Sequence, residues 1–279
     1  MADKPGVTEI FALDGRVAVI TGGAGLLGVK HAEAIASAGG IPVLADIAAD
    51  RAEASAAGVA ACFGVPASAV QVDVSNPSEV KRLLATVLDR YGHVDILINN
   101  AANNPKVEDT AGVEWSRLES FTIDQWEADI AVGLTGAFLC SQAIGGDMAR
   151  RGRGVIVNVA SDLAVIAPDQ RLYRKAGIAA DRQPVKPVTY SVVKTGLVGL
   201  TRYLATDWAG SGVRVNAISP GGVYNGQPEE FVARISQLIP LGRMAALDEY
   251  RGALLFLCSD ASSYMTGTNL VVDGGRSVW

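Results

Sequence analysis

Tyr190 and Lys194 stand four positions apart in Tyr-Ser-Val-Val-Lys. On a helix that spacing is one turn, which puts both side chains on one face. A free phenol, with a pKa of about 10, is a poor base near neutrality. A neighbouring ammonium favours the phenolate and brings the phenol toward the working pH that general-base catalysis asks for. Tyr173 competes for the same role, but its fourth follower is Gly177 rather than a lysine. A second cluster, Thr21-Gly22-Gly23-Ala24-Gly25-Leu26-Leu27-Gly28, suits a different task. Bare backbone lets a pyrophosphate approach, and a helix starting there offers free N–H groups and a positive dipole end. Asp46 closes the next β-branched run. A carboxylate at that point accepts both ribose hydroxyls of an adenosine and repels a 2′-phosphate. No arginine adjoins it, Arg51 being the nearest, so NAD is preferred over NADP. Taken singly, each feature has an ordinary structural reading: half-buried aromatic, solvated lysine, turn glycine, strand-end carboxylate. Their order along the chain is what favours the functional one.

The elements that must position these residues alternate from end to end. Strand-like runs occupy residues 16–21, 41–45, 70–72, 95–98, 154–159, 213–218 and 269–272. Between them lie helical stretches at 28–38, 51–58, 190–208 and 248–258. Two more open on capping boxes, Asn76-Pro-Ser-Glu79 and Thr122-Ile-Asp-Gln125, the second running to about Cys140. This alternation predicts an α/β fold: a single-domain, Rossmann-type, doubly wound parallel sheet of about seven strands with helices on both faces. Residues 1–14 read as an N-terminal extension and 15–279 as the domain. The long stretch between Ser161 and Tyr190 breaks the rhythm, with an insertion at 167–187, and loops of that length are usually functional.

Composition narrows the classes. Of 279 residues, 49% are hydrophobic, too many for a disordered chain, and three cysteines are too few for a disulfide scaffold. Lys and Arg number 24 against 29 Asp and Glu, a net charge of −5, which argues against a nucleic-acid partner. Cys62, Cys140 and Cys258 lie far apart, and His31 and His93 sit in no ligand spacing, so no metal is expected. His31 and His93 read as surface or helix residues. No apolar run of bilayer length and no signal core stand out, which points to a cytoplasmic protein without a membrane partner.

The chain resembles the classical short-chain dehydrogenase/reductase family over nearly its whole length. Beside the glycine turn, the resemblance is carried by Asp73-Val74, Asn99-Asn100-Ala101-Ala102, Ser161 after Val-Asn-Val-Ala, and Tyr190-x-x-x-Lys194. Pro220-Gly221 after Asn-Ala-Ile-Ser and Val272-Asp-Gly-Gly275 complete it. It implies an NAD(P)-dependent oxidoreductase that moves a hydride between nicotinamide and a secondary alcohol or ketone. Ser161, Tyr190 and Lys194 would be catalytic: the serine holding the substrate oxygen, the tyrosine moving the proton, the lysine also holding the nicotinamide ribose. Gly22, Gly25, Leu27, Gly28, Asp46, Asp73, Val74, Asn100, Ala101, Tyr190, Lys194, Pro220, Gly221 and Val223 would hold NAD. The resemblance also implies a homotetramer, or a dimer.

Departures are local. Leu26 occupies the place of the family's middle glycine, Ala102 replaces a glycine, and Asn225 stands where a threonine is usual. Gly133 stands where the family carries an asparagine that helps hold a proton-relay water, so an altered relay is expected. The insertion holds Arg171, Arg174, Lys175, Arg182 and Lys186 against Asp169 and Asp181. That is either a solvated loop or a funnel for an anionic substrate. Residues 223–238 would form a substrate lid. Arg171, Arg174 and Tyr224 are the candidate substrate contacts. The loop, this lid and the Asp-Gly-Gly-Arg ending are similar to a bacterial branch of flagellin-modification and sugar-biosynthesis oxidoreductases, which suits a polar or anionic sugar-like small molecule. Two other readings remain open: a nucleotide-binding protein of this fold with weak catalysis, and a lyase or dehalogenase working without nicotinamide. The retained Gly22, Gly28 and Asp46 disfavour the lyase.

Overall fold

The computed structural model describes residues 6–103 and 113–279. Seven parallel strands run in the order β3-β2-β1-β4-β5-β6-β7. They are β1 (Val17–Thr21), β2 (Ile41–Asp46), β3 (Ser68–Gln71), β4 (Ile96–Asn99), β5 (Gly154–Val159), β6 (Val213–Pro220) and β7 (Asn269–Val272). All five residues of β1 are buried, as a strand covered on both faces requires. Successive strand residues feed two cores. Ala18, Ile20, Leu44, Ile96 and Ile98 pack beneath α1 (Leu26–Ser37), α2 (Ala49–Phe63) and a late helix, Arg251–Cys258. Val17, Val19, Val43 and Leu97 pack beneath α3 (Pro77–Tyr91), α4 (Ile123–Arg151) and α5 (Val188–Asp207). Between α5 and the late helix lies the short α6 (Glu229–Ser236), which makes the late helix α7. The chain reverses beside β1, so the carboxyl ends of β1 and β4 share a crevice.

Local chemistry sets the helix ends. Asn76 Oδ1 accepts from the Ser78 and Glu79 backbone N–H groups at 3.0 and 3.4 Å. Glu79 does not close the predicted box on the Asn76 backbone; its carboxylate accepts from the Asp73 N–H at 2.9 Å and so ties the end of β3 to α3. Thr122 caps α4 by accepting from the Gln125 N–H.

Helix α4 runs well past Cys140, because two wide π-turns, Ala131–Thr135 and Ser141–Gly145, keep it continuous. It is long and apolar enough by composition to cross a membrane. The sequence places this helix only through about Cys140. Cys140, Ile144 and Met148 are fully buried against the sheet, so it is a core helix of this domain.

The segment before β1 is anchored: Leu13 is fully buried and its N–H donates to the Ala38 carbonyl at 2.7 Å. Residues 1–5 of the predicted extension lie outside the described residues. His31 is buried inside α1, and neither ring nitrogen has a hydrogen-bond partner. Burial holds its pKa down at about 4.

Candidate active site

A cavity of about 810 Å³ follows the carboxyl ends of the strands. At one end the chain turns from β1 into α1. Gly22 adopts φ +61°, and a Cβ there would lie 2.9 Å from the Ala101 Cα. A Cβ on Gly28 would lie 2.2 Å from the Gly22 carbonyl oxygen. Both positions therefore admit only glycine without backbone movement. Gly25 caps α1, and Leu26, in the middle-glycine place, is 44% exposed and lines the cavity. Asn100 fastens β4 to this turn: its Nδ2 donates to the Thr21 and Gly22 carbonyls, both at 3.0 Å. Thr21 Oγ1 accepts from the Asn100 and Ala101 N–H groups at 3.0 and 3.1 Å. Asp46 is buried; its Oδ2 accepts from the Ala24 N–H and its Oδ1 from the Ala48 N–H, each at 2.9 Å. Asp73 holds its own turn, its Oδ1 accepting from the Ser75 N–H and hydroxyl.

Of the side chains and glycines predicted to hold the dinucleotide, all except Gly28 line this cavity, from Gly22 and Asp46 through Asp73, Val74 and Asn100 to Pro220, Gly221 and Val223. Gly28 lies beneath the turn and lets α1 approach it. A backbone cradle with no room for a Cβ, a helix N-terminus and a buried carboxylate fit the pyrophosphate and adenosine ribose of a nicotinamide dinucleotide. Arg51 lines the same wall.

Ser161, Tyr190 and Lys194 meet at the other end of that cavity. Ser161 leaves the end of β5 and is buried; Tyr190 and Lys194 are one turn apart on α5. Lys194 Nζ donates to the Val159 carbonyl at 2.7 Å and lies 5.9 Å from the Tyr190 ring centre. Its grip is therefore on β5, not on the phenol. Burial, then the like charge of Lys186, hold its pKa down at about 8. Lys186 itself stands 3.8 Å from the Tyr190 ring centre. Burial pushes the Tyr190 phenol above its ordinary value; Ser161 and Arg276 draw it down and Asp162 adds to the rise. The cause the sequence suggested, Lys194 beside the phenol, is thus not the main influence on Tyr190.

Gly133 lies in the first wide turn of α4. A Cβ there would stand 2.6 Å from Val193 Cγ1, so α4 and α5 approach too closely for an asparagine at this position. With Asp129, Lys186, Thr189 and Lys194 it lines a small pocket behind Tyr190. Asp129 Oδ2 accepts from the Thr189 hydroxyl at 2.5 Å.

The substrate end differs from its prediction. Arg171 turns outward and pairs with Asp169 at 2.7 Å, and that pairing holds the Asp169 carboxyl down at about 2. Arg171, Arg174 and Tyr224 are not among the cavity's lining residues. Asp162, Tyr173, Lys186, Phe231, Ile235 and Arg276 are. The insertion folds into two short turns, Gln170–Tyr173 and Ala180–Arg182. The first buries Leu172 against Ile235, Ile239 and Met244. Arg234 of α6 donates to the Leu172 and Arg174 carbonyls at 3.3 and 2.7 Å. Tyr173 and Phe231 rings meet at 5.8 Å. The insertion and α6 thus pack as one body, which turns the arginines out and Tyr173 in.

A family model described as enoyl-(acyl carrier protein) reductase matches residues 24–277. The chain is 35% identical over 277 residues to a D-threitol dehydrogenase of Mycolicibacterium smegmatis, covering 96% of this chain and 95% of that one. It is 33% identical over 282 residues to an NAD-dependent glycerol dehydrogenase of Listeria innocua, covering 98% of each. The crystal structure of a gluconate 5-dehydrogenase from Burkholderia cenocepacia, in complex with NADP and tartrate, superposes with a TM-score of 0.83 at 29% identity, over 98% of this chain and 100% of that one. The chain belongs to the short-chain dehydrogenase/reductase family. It is an oxidoreductase of alcohols and ketones with a nicotinamide cofactor.

Proposed function

We propose that this protein is an NAD-dependent dehydrogenase of a polyol or sugar-like secondary alcohol. The observation that carries the reading is Ser161, Tyr190 and Lys194 gathered on one wall of the cavity whose far end is the glycine cradle. The dinucleotide, when bound, supplies the hydride acceptor and a positive ring charge that favours phenolate. The chain's own residues manage the proton. Tyr190 takes it from the substrate hydroxyl at its phenolic oxygen, Ser161 holds the substrate oxygen, and Lys194 orients the ribose from its anchor on the Val159 carbonyl. Asp46 supports NAD over NADP: it lines the cavity, and each oxygen accepts one backbone N–H and keeps a further lone pair for a ribose hydroxyl. Arg51 on the same wall is the residue that would serve a 2′-phosphate instead, as the NADP-bound neighbour makes worth testing. Polyols suit the lining beside Ser161 and Tyr190, where Arg276 is already paired with Asp162, better than a strongly anionic sugar.

Turnover of the pure protein with threitol, glycerol, mannitol, gluconate and sugar phosphates, followed by NADH absorbance, tests the reading. We expect polyols to lead and NAD to exceed NADP at least about tenfold, equivalent to about 1.4 kcal/mol. Tight NADH binding with no turnover on any alcohol or ketone would instead support the weakly catalytic nucleotide binder. We also propose a homotetramer: Phe138 on α4, Val192 and Tyr203 on α5, and Tyr264, Val278 and Trp279 near β7 are all exposed. Light scattering at micromolar concentration should report four copies; a monomer overturns it.

A further inference from the structure

The C-terminal segment reaches back to the catalytic serine. Ser161 Oγ lies 2.8 Å from Asp162 Oδ1. An ionised carboxylate only accepts, so the serine donates its proton there. The Leu163 N–H donates to the same two acceptors, at 3.2 Å to Ser161 Oγ and 2.9 Å to Asp162 Oδ1. Asp162 Oδ2 accepts from Arg276 Nη1 at 2.7 Å, and the two side chains are 4% and 7% exposed. Arg276 is held in turn. Beyond β7 the chain reverses through Gly274 and Gly275, at φ +67° and +90°, and Asp273 accepts from the Gly275 and Ser277 N–H groups at 2.9 and 2.8 Å. Ser161, Asp162, Arg276 and Tyr190 all line the same cavity.

We propose that Asp162 and Arg276 are positioning residues for the Ser161–Tyr190 couple: the pair fixes the rotamer of the serine hydroxyl and balances a buried charge beside the phenol. The proposal deepens the alcohol–ketone reading above and rests on it. Held on Asp162 Oδ1 and the Leu163 N–H, the Ser161 hydroxyl has one fixed rotamer, from which its proton can turn to the phenolate or to the substrate oxygen as charge develops there. A carboxylate this buried, without its cation, would oppose ionisation of the phenol; the guanidinium cancels that effect. Among the described residues, the charged groups around this cluster include Lys186 and Lys194 beside Tyr190, Asp129 in the small pocket that Tyr190 shares with both lysines, and Asp169, which feels Arg276. Tyr250 also senses Asp162, from the other side, with its hydroxyl on the Gly221 carbonyl.

The two members of the pair should act on the phenol with opposite signs, which a merely structural role would not produce. The test is the pH titration of Tyr190, read as phenolate absorbance of the dinucleotide-bound protein against Tyr190→Phe, alongside the pH profile of kcat. Arg276→Met should move the titration about one unit upward, and Asp162→Asn about one unit downward. The double variant, with no unpaired charge, should return near the wild-type titration but turn over more slowly, because Ser161 is no longer oriented. Arg276→Lys should preserve the titration. Shifts of the same sign in both single variants, or no shift, overturn the proposal. If Arg276→Met fails to fold, Asp162→Asn decides alone: a downward shift supports the proposal and an unmoved or upward one sinks it. The absorbance titration needs no substrate. An enzyme inactive on every alcohol but showing the opposed shifts refutes the proposed function and leaves the pairing standing.

Discussion

The two ends of the cavity are built differently. At the dinucleotide end the shape is backbone: a Cβ at Gly22, Gly23 or Gly28 would come within 3 Å of main-chain atoms. The polar side chains there, Thr21 and Asn100, hold that backbone in place rather than reach outward. At the other end the shape is side chain: Tyr173 comes from the insertion and Phe231 and Ile235 from α6, which pack together through Leu172, Ile239 and Met244. One end is built by the sheet and its turns. The other is built by segments that lie outside the sheet, so it can vary without disturbing the first.

Four substitutions probe that division and a fifth probes the helix behind it. Tyr190→Phe should have the largest effect. Turnover should drop roughly two to four orders of magnitude while NADH binding stays within about twofold, since the ring remains. Tyr173→Phe should alter substrate KM only; the reverse result would mean the two tyrosines have been assigned to the wrong roles. Next is acid. His31 titrates near pH 6.5 when unfolded and at about 4 when buried in α1, so the fold resists its protonation. Its contribution is complete above pH 6.5 and is lost as the pH falls toward 4, roughly 3 kcal/mol in all. Denaturant melts of His31→Leu should show a flatter pH dependence across that window; an unchanged slope removes His31 as the cause. Leu172→Ala should loosen only the substrate end, raising KM about tenfold with NADH affinity intact, because truncating the buried leucine unpacks the insertion from α6. Loss of NADH binding in this variant would show that the two ends are coupled. Arg171→Ala should change KM by less than about twofold, because its guanidinium is turned to solvent and engaged with Asp169. A large rise in KM for anionic substrates would restore the funnel.

The same division explains what was legible in the sequence. Sheet order, crossovers and the glycine turn follow from period, propensity and missing Cβ atoms, all of which are written locally. Asp46 at the end of β2 and the Tyr190–Lys194 spacing are local too. The direction of a side chain is not. Arg171 is turned away by Asp169 two residues earlier and by Leu172 burying beside it. Lys194 Nζ goes to a strand carbonyl, which spacing on α5 cannot reveal. Asp162 and Arg276 are far apart in the chain, and only the closing of β7 beside β6 brings them together. The continuation of α4 beyond Cys140 was hidden for another reason: its two wide turns shift the apolar repeat, so a constant period loses the helix.

Those wide turns carry a consequence for how this chain tolerates changes of length. A π-turn holds one residue more than the α-turn it replaces. In an α-helix each residue advances the side chains by about 100°. Removing one residue within 131–135 would therefore restore regular hydrogen bonding and leave the phase of everything downstream nearly unchanged, with Cys140, Ile144 and Met148 still on the sheet. An insertion in a regular stretch of α4 has no such outlet and would turn that buried face about 100° away from the sheet. The two wide turns are thus the places where α4 can lose a residue without losing its face.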